Sequence, residues 1–411
     1  MDILEGFPFT PEVLDLFGQS RFVSNMLRFE ASLARAQASV GLIPETAAQS
    51  IMDTCKVELF DVPKIVRESA RVGDISLSLV KRLKETVSFF NPDAVGFVHY
   101  GATSQDVVNT ALALATRDAL GMIELEVLKV VTTLLMLAER HASAPALERS
   151  LTQPATVTSF GYKCVLWAAP LVRSLQRLQT SARQSFGVQL SGAVATQIKM
   201  NGKRVQVIAH MATELDLSNQ SHVWQNQQDE WVALGCDIAL LVVGLGKMAG
   251  DMSLMNQFEV GEVDVSMAMP TDRLQMQPQA NFQNSGTAFN VAWAAAQRAP
   301  QRLAALLADM PQAHEQSLGH WHAELAQWPM LLISAHDSAK AMAQVLSDLQ
   351  VNTLRMRDNL DAKRRQVPSD VSDECFSQML AQHAAALTLE QIPSLTNALL
   401  KLKKLKKPAI F

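Results

Sequence analysis

The apolar residues of this chain recur with a helical period. Phe22, Met26, Phe29, Leu33, Ala36 and Val40 step by three or four, which stacks them on one helix face. Gly41 stops that helix and Pro44 follows, a sound C-terminal signal. Three longer stretches keep the period: Asp106 to Arg140, with Gly121 as its one glycine and no proline, Ser159 to Ser185, and Asp229 to Glu259. Over Ala239 to Leu245 the third is apolar all round, which predicts burial on every side. The alternation of a half-buried strand is scarce, so the fold class is all-α.

Breaks in the pattern divide the chain. Pro270 to Gly286 is rich in Gln, Asn and Pro and reads as a long loop, of the kind that forms lids or binding loops. Helix resumes by Ala288 and runs towards Met310. The basic run Lys363-Arg364-Arg365 and then Val367-Pro368-Ser369-Asp370 mark a boundary before a short helical cap. The expectation is three helical domains: residues 1–100, a central long-helix bundle over 101–345, and a C-terminal domain over 346–411. Helices this long and apolar pack in bundles, often against copies of themselves, so a homo-oligomer is expected.

Composition narrows the function classes. Of 411 residues, 48% are hydrophobic and 18% charged, and a net charge of -4 gives no electrostatic case for nucleic acid. The basic tail Lys401 to Lys407 reads as a solvated helix end. The most apolar run, Ile238 to Leu245, is short for a membrane span and is bounded by Asp237 and Lys247. Cys55, Cys164, Cys236 and Cys375 lack metal or redox spacing and read as buried reduced thiols. The start lacks the basic flank of a signal peptide, and a cytoplasmic setting is expected.

Two segments carry candidate chemistry. His99-Tyr100-Gly101-Ala102-Thr103-Ser104-Gln105-Asp106 opens a long helix. The hydroxyls of Thr103 and Ser104, with the free N–H groups of the helix start, suit a carboxylate. The plainer reading is an ordinary cap, with Ser104 capping and Asp106 complementing the helix dipole. Ser266-Met267-Ala268-Met269-Pro270 puts a serine in the loop, where it could move a proton. His314, His320 and His322 cluster with Glu315 and Glu324, but without a third ligand they read as a hydrogen-bonded helix face. Neither metal nor cofactor is expected. Lys203 and Arg204 read as a solvated turn.

The segment from His99 to Asp106 resembles the HxGxTSxD segment of the fumarase/aspartase superfamily, and among its groups most nearly the 3-carboxy-cis,cis-muconate cycloisomerases. Arg149-Ser150-Leu151-Thr152-Gln153-Pro154-Ala155, Gln189 to Val194, Glu259-Val260-Gly261-Glu262-Val263 and His314 to Glu324 resemble further segments of that group, in the same order. The likeness spans Leu16 to about Leu360. It implies three helical domains, a homotetramer whose active sites form where three subunits meet, and a role in aromatic catabolism. It also implies proton transfer alpha to a carboxylate through an enolate-like dianion, whose oxygens need preorganised donors.

In the family's loop pattern GSSxMPxKxNP, Ser266 falls on the serine used as general base. The pattern then fails. Met267 replaces the second serine, Asp272 stands at the lysine, Leu274 at the asparagine, and about ten residues are inserted. Arg273 is the nearby cation that could support a serine alkoxide. Leu151 stands at the histidine of the RTxxQ-type segment, as in the cycloisomerases, which also lack it. Gln225 and Gln228 replace the histidine and arginine of PWHxxRD, and Gln316 an arginine of the HERS-type segment. The resemblance implies that Ser266 handles the proton while His99, Thr103, Ser104 and Gln153 hold carboxylates, with Arg273, Gln225 and His314 as further substrate-binding candidates. The expected activity is a cycloisomerase closing a lactone on a carboxymuconate-like polycarboxylate. The alternatives are a lyase that eliminates fumarate from a succinyl adduct, and a pseudoenzyme that keeps only the oligomeric scaffold.

Overall fold

A computed structural model of the protein describes residues 10–191, 198–219, 228–265, 279–311, 319–363 and 374–404. In chain order the helices are α1 (Pro11–Leu16), α2 (Gln19–Ser39), α3 (Glu45–Thr54), α4 (Val62–Val72), α5 (Ile75–Phe90) and α6 (Ser104–Arg140). An antiparallel hairpin follows, β1 (Pro145–Ser150) with β2 (Gln153–Ser159), irregular in register between Glu148 and Arg149. Then come α7 (Phe160–Ser185), α8 (Arg204–Leu215), α9 (Asp229–Met255), β3 (Val263–Asp264), α10 (Gln279–Asp309) and α11 (His320–Asp348). β4 (Gln350–Val351) pairs with β3, and α12 (Thr353–Lys363) and α13 (Glu374–Lys404) complete the described chain.

The apolar stripe on α2 does what its spacing predicts: Met26, Phe29, Leu33 and Ala36 are buried. The helix ends in a Schellman motif, in which Leu42 N–H reaches the Gln37 carbonyl at 2.8 Å and Gly41 N–H reaches Ala38 at 2.9 Å. Gly41 makes this turn at φ 69°, a conformation costly for other residues.

The long helices α6, α7, α9, α10 and α11 pack on one another as a bundle. At 37 residues, α6 is about 55 Å long. It defines two ends. At its finish the hairpin turns the chain back, with Phe160 N–H on the Ala144 carbonyl and Gly161 N–H on His141. At its start α11 begins alongside and runs parallel: Trp321 Nε1 donates to Asn109 Oδ1 at 2.9 Å and, two turns on, Trp328 Nε1 to Thr116 Oγ1 at 2.8 Å. Trp328 is fully buried and stacks on Trp231 of α9 at 4.2 Å.

Several expectations change. Helix resumes at Gln279, inside the stretch read as loop, because Gln and Ala are good helix formers and polarity alone does not break a helix. The all-round apolar helix α9 ends at Met255, and Leu240 (55% exposed), Val243 and Leu254 leave one of its faces open in the single chain. By length and composition α9 would also suit a membrane span, yet 61% of its most apolar window is buried within the bundle. Lys203 and Arg204 are half-buried and tied to backbone rather than free in a turn. Lys203 Nζ bonds the Val40 carbonyl at 2.6 Å, at the end of α2, and Arg204 bonds the Leu190 carbonyl at 2.9 Å. Of the cysteines only Cys164 is buried. Cys55 and Cys236 are half-buried and Cys375 is exposed. The C-terminal cap is a 31-residue helix, α13, packed on α7 and the hairpin, and near its end Leu402 is buried between exposed Lys401 and Lys403.

Candidate active site

At the start of α6 the cap is Thr103, not Ser104. The N–H and Oγ1 of Thr103 donate to Asp106 Oδ2 at 2.9 and 3.0 Å, and Ser191 N–H donates to Asp106 Oδ1 at 2.8 Å. The protein's own carboxylate thus takes cap donors that a ligand anion would compete for. Ser104, half-buried in the first turn, keeps its hydroxyl outside this network. His99 sits in a left-handed turn at φ 61°, with Nδ1 2.6 Å from Oε1 of the buried Glu30. Burial pulls the imidazole pKa down, but the charge and hydrogen bond of Glu30 push it up, and the net shift is upward.

The same end gathers other resembling segments. Gln189 bonds Asn109 and Thr110 of α6. Gln228, at the position of the family's arginine, donates to the buried Glu324 at 2.7 Å. Burial pushes Glu324 up to about 7, since a neutral amide compensates a carboxylate less than a guanidinium would. The expected histidine face divides: His322 bonds the Gly73 carbonyl at 2.8 Å, while Glu324 is buried in the bundle.

The other end holds the remaining segments. Arg149 of β1 makes a two-pronged contact with Glu262, at 2.9 Å to Oε2 and 2.5 Å to Oε1. The Glu262 side chain is fully buried, and Asn359 Nδ2 adds a bond at 3.1 Å. Arg355 and Asn359 hold the carbonyls of Glu259 and Val260. Lys163 lies in this field, and burial followed by repulsion from Arg149 pulls its pKa down. At the hairpin tip Gln153 is exposed, and Leu151 and Thr152 have φ of 50° and 62°. Ser266, Arg273, Gln225 and His314 lie outside the described residues.

Among the described residues the predicted ones therefore stand apart within one chain. His99, Thr103 and Ser104 sit at the start of α6, and Gln153 lies past its finish, at the tip of the hairpin whose six-residue strand β1 spans about 20 Å. Even folded back along the helix, the tip stays at least about 35 Å from Thr103.

The motif order and this architecture agree with what known proteins show. A family model described as "Lyase" matches residues 9–272. The chain belongs to that family, the fumarase/aspartase superfamily. The 3-carboxy-cis,cis-muconate cycloisomerase of Pseudomonas putida is 33% identical over 381 residues, covering 93% of this chain and 90% of that protein. The crystal structure of the 3-carboxy-cis,cis-muconate lactonizing enzyme from Pseudomonas putida superposes with a TM-score of 0.82 at 32% identity, over 97% of this chain and 88% of that one. The nitrosuccinate lyase of Streptomyces davaonensis is 30% identical over 380 residues, 89% of this chain and 79% of that protein. The chain is an enzyme-family member of the lyase and isomerase kind, similar to the cycloisomerases.

Within this superfamily member, sequence reasoning missed Glu30 and the bond between Arg149 and Glu262. Glu30 carried a signal: it is a lone carboxylate beside Phe29, within the apolar stripe of α2. The Arg149–Glu262 pair spans 113 residues and no local pattern announces it.

Proposed function

We propose that the protein is a cycloisomerase that closes a lactone on a carboxymuconate-like polycarboxylate, working as a cytoplasmic homotetramer in aromatic catabolism. One substrate carboxylate adds across a double bond. The carbon–oxygen bond forms, the π pair moves onto the carbon alpha to a second carboxylate, and that enolate takes a proton from Ser266, which regains one from water. His99, Thr103 and Ser104 of one chain hold carboxylates, and Gln153 and Ser266 come from another, with Arg273, Gln225 and His314 completing the pocket. The observation that carries this reading is the sorting of the motif segments to opposite ends of α6. A complete site then needs chains laid side by side in opposite directions. The open apolar positions Leu240, Val243 and Leu254 on α9 and Leu125 and Met136 on α6 suit such contacts.

The test is direct. Purified protein given 3-carboxy-cis,cis-muconate should consume the diene absorbance, and Ser266→Ala should abolish the loss by roughly 10²-fold or more. A lyase is the second reading, favoured by the similarity to nitrosuccinate lyase. It predicts fumarate released from a succinyl adduct instead. Neither reaction in a folded oligomer would leave the scaffold reading, to which the glutamines at positions 225, 228 and 316 point.

A further inference from the structure

The turn that precedes α6 is held from behind by two polar residues of α2, one on each side of a strained backbone. His99 and Gly101 have φ of 61° and 74°. A left-handed histidine is unfavourable and persists where its surroundings enforce it. Gln37 Nε2 donates to the Tyr100 carbonyl at 2.6 Å, and Glu30 Oε1 takes His99 Nδ1 at 2.6 Å. Seven residues apart, Glu30 and Gln37 lie two helical turns from one another on one face. A Cβ on Gly101 would meet Met200 Cε at 2.7 Å, so the turn is closed from that side too.

Glu30 is 1% exposed, buried beside the apolar stripe of α2. Its Oε2 has no hydrogen-bond partner among the described residues, so the contact through Oε1 is the one polar bond its side chain makes there. With Nδ1 committed, the His99 ring keeps Nε2 as its one remaining polar atom, and the side chain is 16% exposed. The charged groups acting on the ring are Glu30 from α2, Asp106 from α6 and Lys84 from α5, two carboxylates against one ammonium. Elsewhere the chain carries glutamine where its family has cations, at 225, 228 and 316.

We propose that Glu30 is a positioning residue that acts through His99: it fixes the ring so that Nε2–H of a charged imidazole binds a substrate carboxylate beside the start of α6. This deepens the reading above, on which it rests. The arrangement replaces lost arginines by a histidine whose charge a buried carboxylate sustains.

Fumarate, a dicarboxylate that cannot lactonise, is the probe, and its binding is measured by calorimetry from about pH 6 to 8. Wild-type binding should weaken as pH rises. Glu30→Gln should raise the Kd roughly tenfold at neutral pH and shift the weakening to lower pH, because the carboxylate that favours the charged ring is gone. His99→Gln should bind weakly at every pH, and the double variant should add nothing to it. His99→Gln keeps the test decisive if Glu30→Gln fails to fold. Wild-type protein that ignores fumarate, a Glu30→Gln or His99→Gln variant that binds like wild type, or additive effects in the double variant overturns the proposal. Fumarate binding that depends on Glu30 in a protein inert towards 3-carboxymuconate supports the pairing and removes the cycloisomerase reading alone.

Discussion

At the start of α6 the buried carboxylates face neutral or titratable partners: Glu324 meets Gln228, and Glu30 meets His99. At its finish the buried Glu262 meets a guanidinium in two-pronged contact, with Asn359 behind it. The difference is one of permanence. An arginine stays charged at any physiological pH, so the far end is a fixed anchor for the strand β3 that leads to Ser266. A histidine or a glutamine lets the carboxylate opposite it respond to pH and ligand, so the near end is the adjustable one.

The largest effect tests whether the two ends serve one site. His99→Gln disables the near end and Ser266→Ala the other group. Each alone should lose roughly 10²-fold or more in turnover of 3-carboxymuconate. Unfolded together and reassembled, the two should regain much of the lost rate, because some mixed seams pair an intact near end with an intact serine. A mixture no more active than its parts would place both groups in one chain and break the comparison.

The anchor comes next. Arg149→Ala leaves Glu262 buried with Asn359 as its remaining side-chain partner, and stripping one member from a buried pair costs on the order of 3 kcal/mol. Chemical denaturation at neutral pH should show that loss. An unchanged midpoint would mean that the pair anchors nothing.

How much of this was legible beforehand follows from distance along the chain. Periodicity and punctuation act over a few residues, so α2, its glycine stop and the extent of α6 could be read directly. The segments with candidate chemistry were also visible, since each is a short string. Their sorting to two ends was not, because it depends on the length of α6 and the direction of α7, α9 and α11. The partners were hidden for the same reason: His99 finds Glu30 across 69 residues. The capping residue was misread by one position, since Thr103 and Ser104 are both good caps and only the hydrogen bonds to Asp106 decide between them.

The adjustable end has a thermodynamic signature of comparable size. Glu324 is raised from 4.5 to about 7 by burial, so the native state holds a proton that the unfolded chain releases. The sign follows: stability is full below about pH 4.5 and declines as pH rises through about 7. At 1.36 kcal/mol per unit the total is roughly 3 kcal/mol. Glu324→Gln cannot ionise and should flatten this part of the profile, making the protein more stable than wild type above pH 7. Urea midpoints across pH give the answer. A parallel profile in the variant would show that Glu324 is already charged in the folded protein, and would make the two ends alike.

The smallest effect concerns the hairpin tip, where the far end departs from its own rigidity. Leu151 and Thr152 both hold positive φ, and Leu151 is 92% exposed. Either feature alone is unfavourable, and hairpin turns of this hand normally take Asn and Gly. Leu151→Gly removes both, and in an isolated chain it should add about 1 kcal/mol of stability. If the strained tip is kept because its leucine packs into the seam between chains, the same change should weaken the oligomer while it stabilises the subunit. Sedimentation of the variant at falling concentration separates the two contributions. A variant that gains stability and assembles as wild type does would make Leu151 an incidental strain, and the far end would owe its place in the site to Gln153 and the segment beyond Glu262 alone.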